Sequence, residues 1–162
     1  MLDVRDLRAG YGKLDVLRGI SLSVGSGECV ALIGANGAGK STTLRTICGL
    51  LATRAGSIRF DGERIDGLTG HQIVRRGITM CPEGRQVFPD MSVRENLEMG
   101  AHARRDAEQK QDLERMLALF PRLGERIAQR AGTLSGGGKV SVPLTRTSAA
   151  SAPGRTTVSV PT

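Results

Sequence analysis

Apolar and polar residues alternate through residues 2–8 and again through 16–24, the period of a strand with one face in water. Gly25-Ser26-Gly27 marks a turn, and the apolar run Cys29-Val30-Ala31-Leu32-Ile33 then reads as a buried strand. Residues 41–50 read as the helix that follows. Short strands are expected at 57–61 and 64–66, a short helix near 71–76, and an apolar strand at 78–81 that Pro82 breaks. From Ser92 the period lengthens. Ser92-Val93-Arg94-Glu95 is a capping box that opens a helix to about Gly100. Residues 106–120 put Leu113, Met116, Leu117 and Phe120 at helical spacing with charges on the other face, a stripe for packing rather than for a cofactor. A strand-rich first half thus surrounds a glycine-rich loop, and a helical segment follows. No internal repeat is visible.

That loop carries the chemistry. Gly34-Ala35-Asn36-Gly37-Ala38-Gly39-Lys40-Ser41 fits G-x-x-x-x-G-K-[ST] at every fixed position, with a strand before it and a helix after it. Glycines let backbone N–H groups turn inward around phosphates, and the helix N-terminus adds partial positive charge. Lys40 would reach the β- and γ-phosphates, and the Ser41 hydroxyl would ligate Mg²⁺. Residues 34–41 together with Thr42 are the expected binding residues for a nucleoside triphosphate.

The chain has 162 residues, one domain's worth, and its 39% apolar and 24% charged content is that of a globular protein. No run approaches a membrane span, and Asp3 argues against a signal peptide, so a cytoplasmic location is expected. The net charge is +7: residues 1–138 hold 20 of the Lys and Arg and all 16 acids, and the last 24 residues add three bases. Arg75-Arg76 and Arg104-Arg105 are isolated pairs on exposed helix positions, and nucleic acid is not expected as a partner. Cys29, Cys48 and Cys81 have no C-x-x-C spacing, and reduced, buried thiols are expected.

Four further features follow the loop's logic. Tyr11, the one tyrosine, lies in a loop just after the first strand. Cys81-Pro82-Glu83-Gly84-Arg85-Gln86-Val87-Phe88-Pro89 follows a strand end, Ser92-Val93-Arg94-Glu95-Asn96-Leu97 opens a helix, and Leu134-Ser135-Gly136-Gly137 comes last. In this order they resemble the ATP-binding subunits of ABC transporters over residues 1–138. The resemblance implies an α/β fold: a P-loop NTPase core with an antiparallel β subdomain and a helical subdomain, incomplete at the C-terminus. It implies that Tyr11 stacks on adenine. Ser135, Gly136 and Gly137 would contact the ATP held by a second ATP-binding subunit. Glu83 stands where most of the family has glutamine, and it is a second candidate Mg²⁺ ligand beside Ser41. The run from Pro82 to Leu97 looks most like importers of branched-chain amino acids, and importers of urea or short amides look similar. The implied partners are membrane-spanning subunits, which would hold the chain at the inner face of the membrane. Neither N-K-x-D nor D-x-x-G of a GTPase occurs, and small-molecule kinases carry no L-S-G-G element.

The family pattern stops near residue 138. No apolar strand ending in Asp-Glu and no later histidine follows Gly137, so no catalytic residue is assigned and hydrolysis by this chain is doubtful. Gly138 stands where a Glu or Gln begins the family's helix, and Pro143 with its β-branched neighbours opposes a helix. Residues 139–162 hold no acid and no aromatic and are expected to be disordered, or at best loosely strand-like. A frameshift near codon 138 of a GC-rich gene would generate such a composition. The strand that carries the phosphate loop would then lack its proper neighbour, or rely on a poor substitute.

Overall fold

A computed structural model of the chain describes residues 1–81, 83–84, 86–102, 109–134 and 155–159. The chain divides into two compact units, Met1–Ile78 with Thr147–Thr162, and Thr79–Arg146.

In the first unit, β1 (Leu2–Tyr11) pairs antiparallel with β2 (Leu14–Val24) on one edge and β4 (Ala55–Phe60) on the other. The two-residue β5 (Glu63–Arg64) extends β4, giving the order β2-β1-β4-β5. Strict alternation fails in β1 between Val4 and Leu7, both buried and three residues apart. A register shift there, with Asp6 at φ 47°, returns Leu7 to the inner face, and the Asp6 N–H donates to Ser21 Oγ at 2.9 Å. Val4, Leu7, Ala9, Leu17, Ile20 and Ile58 make the core, joined by Ile47 of α1 (Lys40–Ile47) and by Ile65.

β3 (Cys29–Ile33) lies in a separate two-stranded sheet, where it runs parallel to β6 (Arg155–Ser159), Cys29 opposite Arg155 and Ile33 opposite Ser159. Arg155–Ser159, inside the segment expected to be disordered or at best loosely strand-like, forms a strand. One expectation is corrected here: β3 is not buried. Val30 and Leu32 are half-buried, but Cys29, Ala31 and Ile33 are exposed, Ile33 by 56%. Only one strand pairs with β3 among the described residues, and Leu32 alone of the five packs against the core, so the opposite face stays open. The thiols follow suit. Cys29 and Cys81 are exposed and Cys48 is half-buried, against the expectation of three buried thiols. Residues 78–81, expected as a strand, are irregular, with no strand partner among the described residues. α2 (Gly70–Arg75) begins at a capping box between Thr69 and Gln72.

The second unit is helical. Ser92 caps α3 (Val93–Gly100) as its sequence predicts: the Ser92 N–H donates to Glu95 Oε2 at 2.7 Å, and the Glu95 N–H donates to Ser92 Oγ at 3.2 Å. α4 (Gln109–Leu119) turns Leu113 and Leu117 toward Val93, Leu97, Leu123 and Leu134, while Met116 packs on Ala101. Phe120 leaves the expected stripe and is 38% exposed. Pro121 starts the short α5 (Pro121–Gly124), so the chain bends at Phe120 and its ring no longer shares the face of α4. No helix among the described residues is long and apolar enough to cross a membrane.

Candidate functional site

The phosphate loop runs from the end of β3 into α1, as the motif requires. Gly37 and Gly39 have φ of 90° and 94°, a region where L side chains are strained. Gly39 has a second constraint: a Cβ there would come within 2.7 Å of Leu17 Cδ2. Gly39 is also the residue before α1, and no side chain caps that terminus. The helix dipole places partial positive charge at this end, beside the loop. Below the loop the helix is fastened. Thr43 Oγ1 donates to the Gly39 carbonyl at 2.9 Å and Thr46 Oγ1 to the Thr42 carbonyl at 2.8 Å, so these buried hydroxyls are satisfied.

Lys40 Nζ folds back over the loop and donates to the carbonyls of Gly34 and Ala35 at 2.7 and 2.8 Å. Ala38 N–H closes the loop on the Ala35 carbonyl at 3.2 Å, Asn36 is exposed, and Ser41 is half-buried in the first turn of α1. Gly34 to Thr42 thus run as one closed loop from the end of β3 into the first turn of α1.

Tyr11 differs from its expected setting. It is the last residue of β1, not a loop residue, and it pairs with Leu14 across the turn Gly12-Lys13. Its hydroxyl accepts a hydrogen bond from Arg45 Nη1 at 3.0 Å and makes a second with Thr42. The bond from Arg45, then that with Thr42, holds the phenol below its ordinary pKa although the ring is 42% exposed. Tyr11 thereby shares α1 with the phosphate loop. A cavity of about 360 Å³ lies alongside, walled by Leu14, Asp15 and Val16 of β2 and by Gly37 and Ala38 of the loop.

Two arginines here are absent from the sequence expectations. Arg45 is one. Arg54 is the other: it pairs with the Asp15 carboxylate, donates to the Gly12 carbonyl and braces the turn that follows Tyr11. Neither belongs to a local motif, and each meets its partner more than 30 residues away, so no spacing rule points to them.

The remaining candidates lie elsewhere. Glu83 is exposed at a bend of the second unit. Ser135, Gly136 and Gly137 fall outside the described residues; Leu134 just before them is buried against α3 and α5. Within that unit Asn96 ties Phe88 to α3, accepting from the Phe88 N–H at 2.8 Å and donating to its carbonyl at 3.0 Å. Among the described residues no three His, Cys, Asp or Glu come together as a metal site.

Known proteins give the arrangement its context. A family model described as ABC transporter matches residues 17–153. Over 137 residues the chain is 47% identical to the high-affinity branched-chain amino acid transport ATP-binding protein BraG of Pseudomonas aeruginosa, covering 85% of this chain and 59% of that protein. It is 35% identical over 137 residues to the probable branched-chain amino acid transport ATP-binding protein LivF of Archaeoglobus fulgidus, covering 85% of this chain and 58% of that one. A solved structure of an ATP-binding subunit of an ABC transporter matches with a TM-score of 0.74 at 37% identity, covering 86% of this chain and 57% of the other. The chain spans less than two thirds of the length of each of these three.

Proposed function

The chain belongs to the ABC transporter family, and on that premise we propose that it is the nucleotide-binding portion of an ATP-binding subunit energising uptake of branched-chain amino acids. One arrangement carries the nucleotide reading: Tyr11, an aromatic ring for a base, is bonded to the same helix whose N-terminus forms the phosphate cradle. On binding, Lys40 would exchange the Gly34 and Ala35 carbonyls for phosphate oxygens, a charge-assisted bond in place of a neutral acceptor. The first-turn N–H groups favour the same anion.

Mg²⁺ fits this site as a companion of the phosphates rather than as a resident ion. The described residues offer no carboxylate cluster, and Mg²⁺ is commonly held by one or two protein ligands plus substrate phosphates. Ser41 would be the protein ligand from the loop, with phosphate oxygens and water completing the shell. The ion would supply neutralisation of phosphate charge.

The likeness to the two branched-chain transport proteins supports the substrate, and importers of urea or short amides are the rival. Membrane-spanning subunits and a second ATP-binding subunit, met through Ser135, Gly136 and Gly137, complete the proposed assembly at the inner face of the membrane. Expressing the chain in cells that lack their own branched-chain ATP-binding subunit tests the substrate. Restored leucine uptake supports the reading, and restored urea uptake instead overturns it.

A second reading, a nucleotide binder without turnover, is favoured by one observation. The strand paired with β3, Arg155-Thr156-Thr157-Val158-Ser159, contains no carboxylate to activate water or hold a metal. Calorimetric titration of the purified 162-residue polypeptide with Mg-ATP, alongside a hydrolysis assay, separates the two. Binding that Lys40→Ala removes, with phosphate release no faster than in that variant, supports the second reading. Lys40-dependent turnover overturns it.

A further inference from the structure

Thr42 and Arg45 are three residues apart on α1 and so face the same way. Both meet the hydroxyl of Tyr11, which arrives from the end of β1. Arg54 holds the carbonyls of Gly12, in the turn, and of Leu14, just after it. A tyrosine at a strand end, 42% exposed, would otherwise swing about its side-chain torsions. Fastened at its hydroxyl and braced at its backbone, the ring keeps one orientation.

We propose that Arg45 is a positioning residue for Tyr11: with Thr42 it docks the phenol on the phosphate-loop helix and thereby presets the distance between the base and the phosphates of a bound nucleotide. This rests on the nucleotide reading above. The guanidinium suits the task because its donors sit in a rigid fork, whereas a lysine ammonium on a flexible stem would hold the ring loosely. Ordering the ring before binding removes part of the ordering that binding would otherwise have to accomplish. Arg45 itself touches neither base nor phosphate in this role.

Tyr11 is the only tyrosine and the chain has no tryptophan, so ultraviolet absorbance of the ionising phenol reports this one ring. The parent phenol is expected to ionise below the ordinary tyrosine value. Arg45→Ala should raise it toward that value, the Thr42 bond remaining, and Arg45→Lys should fall between. Affinities for ATP and for inorganic tripolyphosphate complete the test, in the parent, Arg45→Ala, Tyr11→Phe and the double variant. Each single change should weaken ATP binding about threefold to tenfold, the size of one net hydrogen bond. The double variant should be no weaker than the weaker single, because both remove one interaction. Tripolyphosphate binding should not change. An equal loss for tripolyphosphate would put Arg45 on the phosphate side and overturn the proposal, as would a phenol titration unmoved in both Arg45 variants. If the parent binds neither ligand, the nucleotide reading and the spacing role both fall, while a shifted titration would still establish the docking itself.

Discussion

Lys40 Nζ lies 2.7 Å from the Gly34 carbonyl oxygen, so the lysine of the phosphate loop is bonded to the loop's own first residue. With the bond to Ala35 at 2.8 Å, it holds the cradle in shape before any anion arrives. Removing it takes away both this brace and the cation proposed to meet the phosphates. Lys40→Ala should lower tripolyphosphate affinity by about tenfold or more, since a charge-assisted bond is lost. Calorimetry checks this, and an unchanged affinity would show that the loop binds without its lysine.

Gly39 and Gly12 make a matched pair of tests. Both have positive φ, 94° and 54°, but a Cβ on Gly39 meets Leu17 while one on Gly12 meets nothing within 4 Å. Gly39→Ala should cost about 2–3 kcal/mol, strain and clash together. Gly12→Ala should cost about 1 kcal/mol, from conformation alone. Urea midpoints of the two variants give the comparison. Equal losses would mean that the Leu17 contact relaxes without penalty.

Ser92 caps α3 through its hydroxyl. Ser92→Ala should destabilise the chain by about 1 kcal/mol, the usual loss for an N-cap. Thermal unfolding of the variant measures it, and Ser92→Asp should restore most of the loss.

Asp66 supplies a pH dependence. Burial pushes its carboxyl up, but the bonds from Arg64 Nε at 2.9 Å and from the Ile58 N–H at 3.1 Å outweigh this and hold it below the usual range. A carboxylate with a lowered folded-state pKa contributes stability that is complete above its unfolded value, about 4. That contribution disappears as pH falls through the folded value. Asp66→Asn should therefore be less stable than the parent at neutral pH, with the gap closing in acid. Urea unfolding at a series of pH values reads the gap directly, and a gap independent of pH would sink the assignment.

The thiols provide a check on exposure. Cys29 and Cys81 are open to reagent, whereas burial raises the pKa of half-buried Cys48. Because the thiolate is the reactive species and Cys48 is the least accessible of the three, Cys48 should label last. Single Cys→Ser variants assign each phase. Fast labelling of Cys48 at neutral pH would contradict its half-buried place at the C-terminal end of α1.

What the sequence determined by itself was whatever depends on neighbours along the chain. The phosphate loop between β3 and α1, the Ser92–Glu95 box and the helical face of Leu113 and Leu117 are local arrangements, set by glycine conformations, hydrogen bonds three residues apart and a 3.6-residue period. Tertiary structure decided the rest. An apolar run such as Cys29–Ile33 reads as buried, yet burial is a property of what packs on each face, and one face of β3 remains open. The tail's composition left only disorder or a loose strand open, and pairing with the edge of β3 is what makes Arg155–Ser159 a strand. Phe120 kept the period of α4 in sequence and lost it in space where Pro121 bends the chain. Arg45 and Arg54 carry no signature at all. Their roles exist only because folding closes loops of 34 and 42 residues and brings their guanidinium groups to Tyr11 and Gly12, and no pattern of spacing encodes a contact made across such a distance.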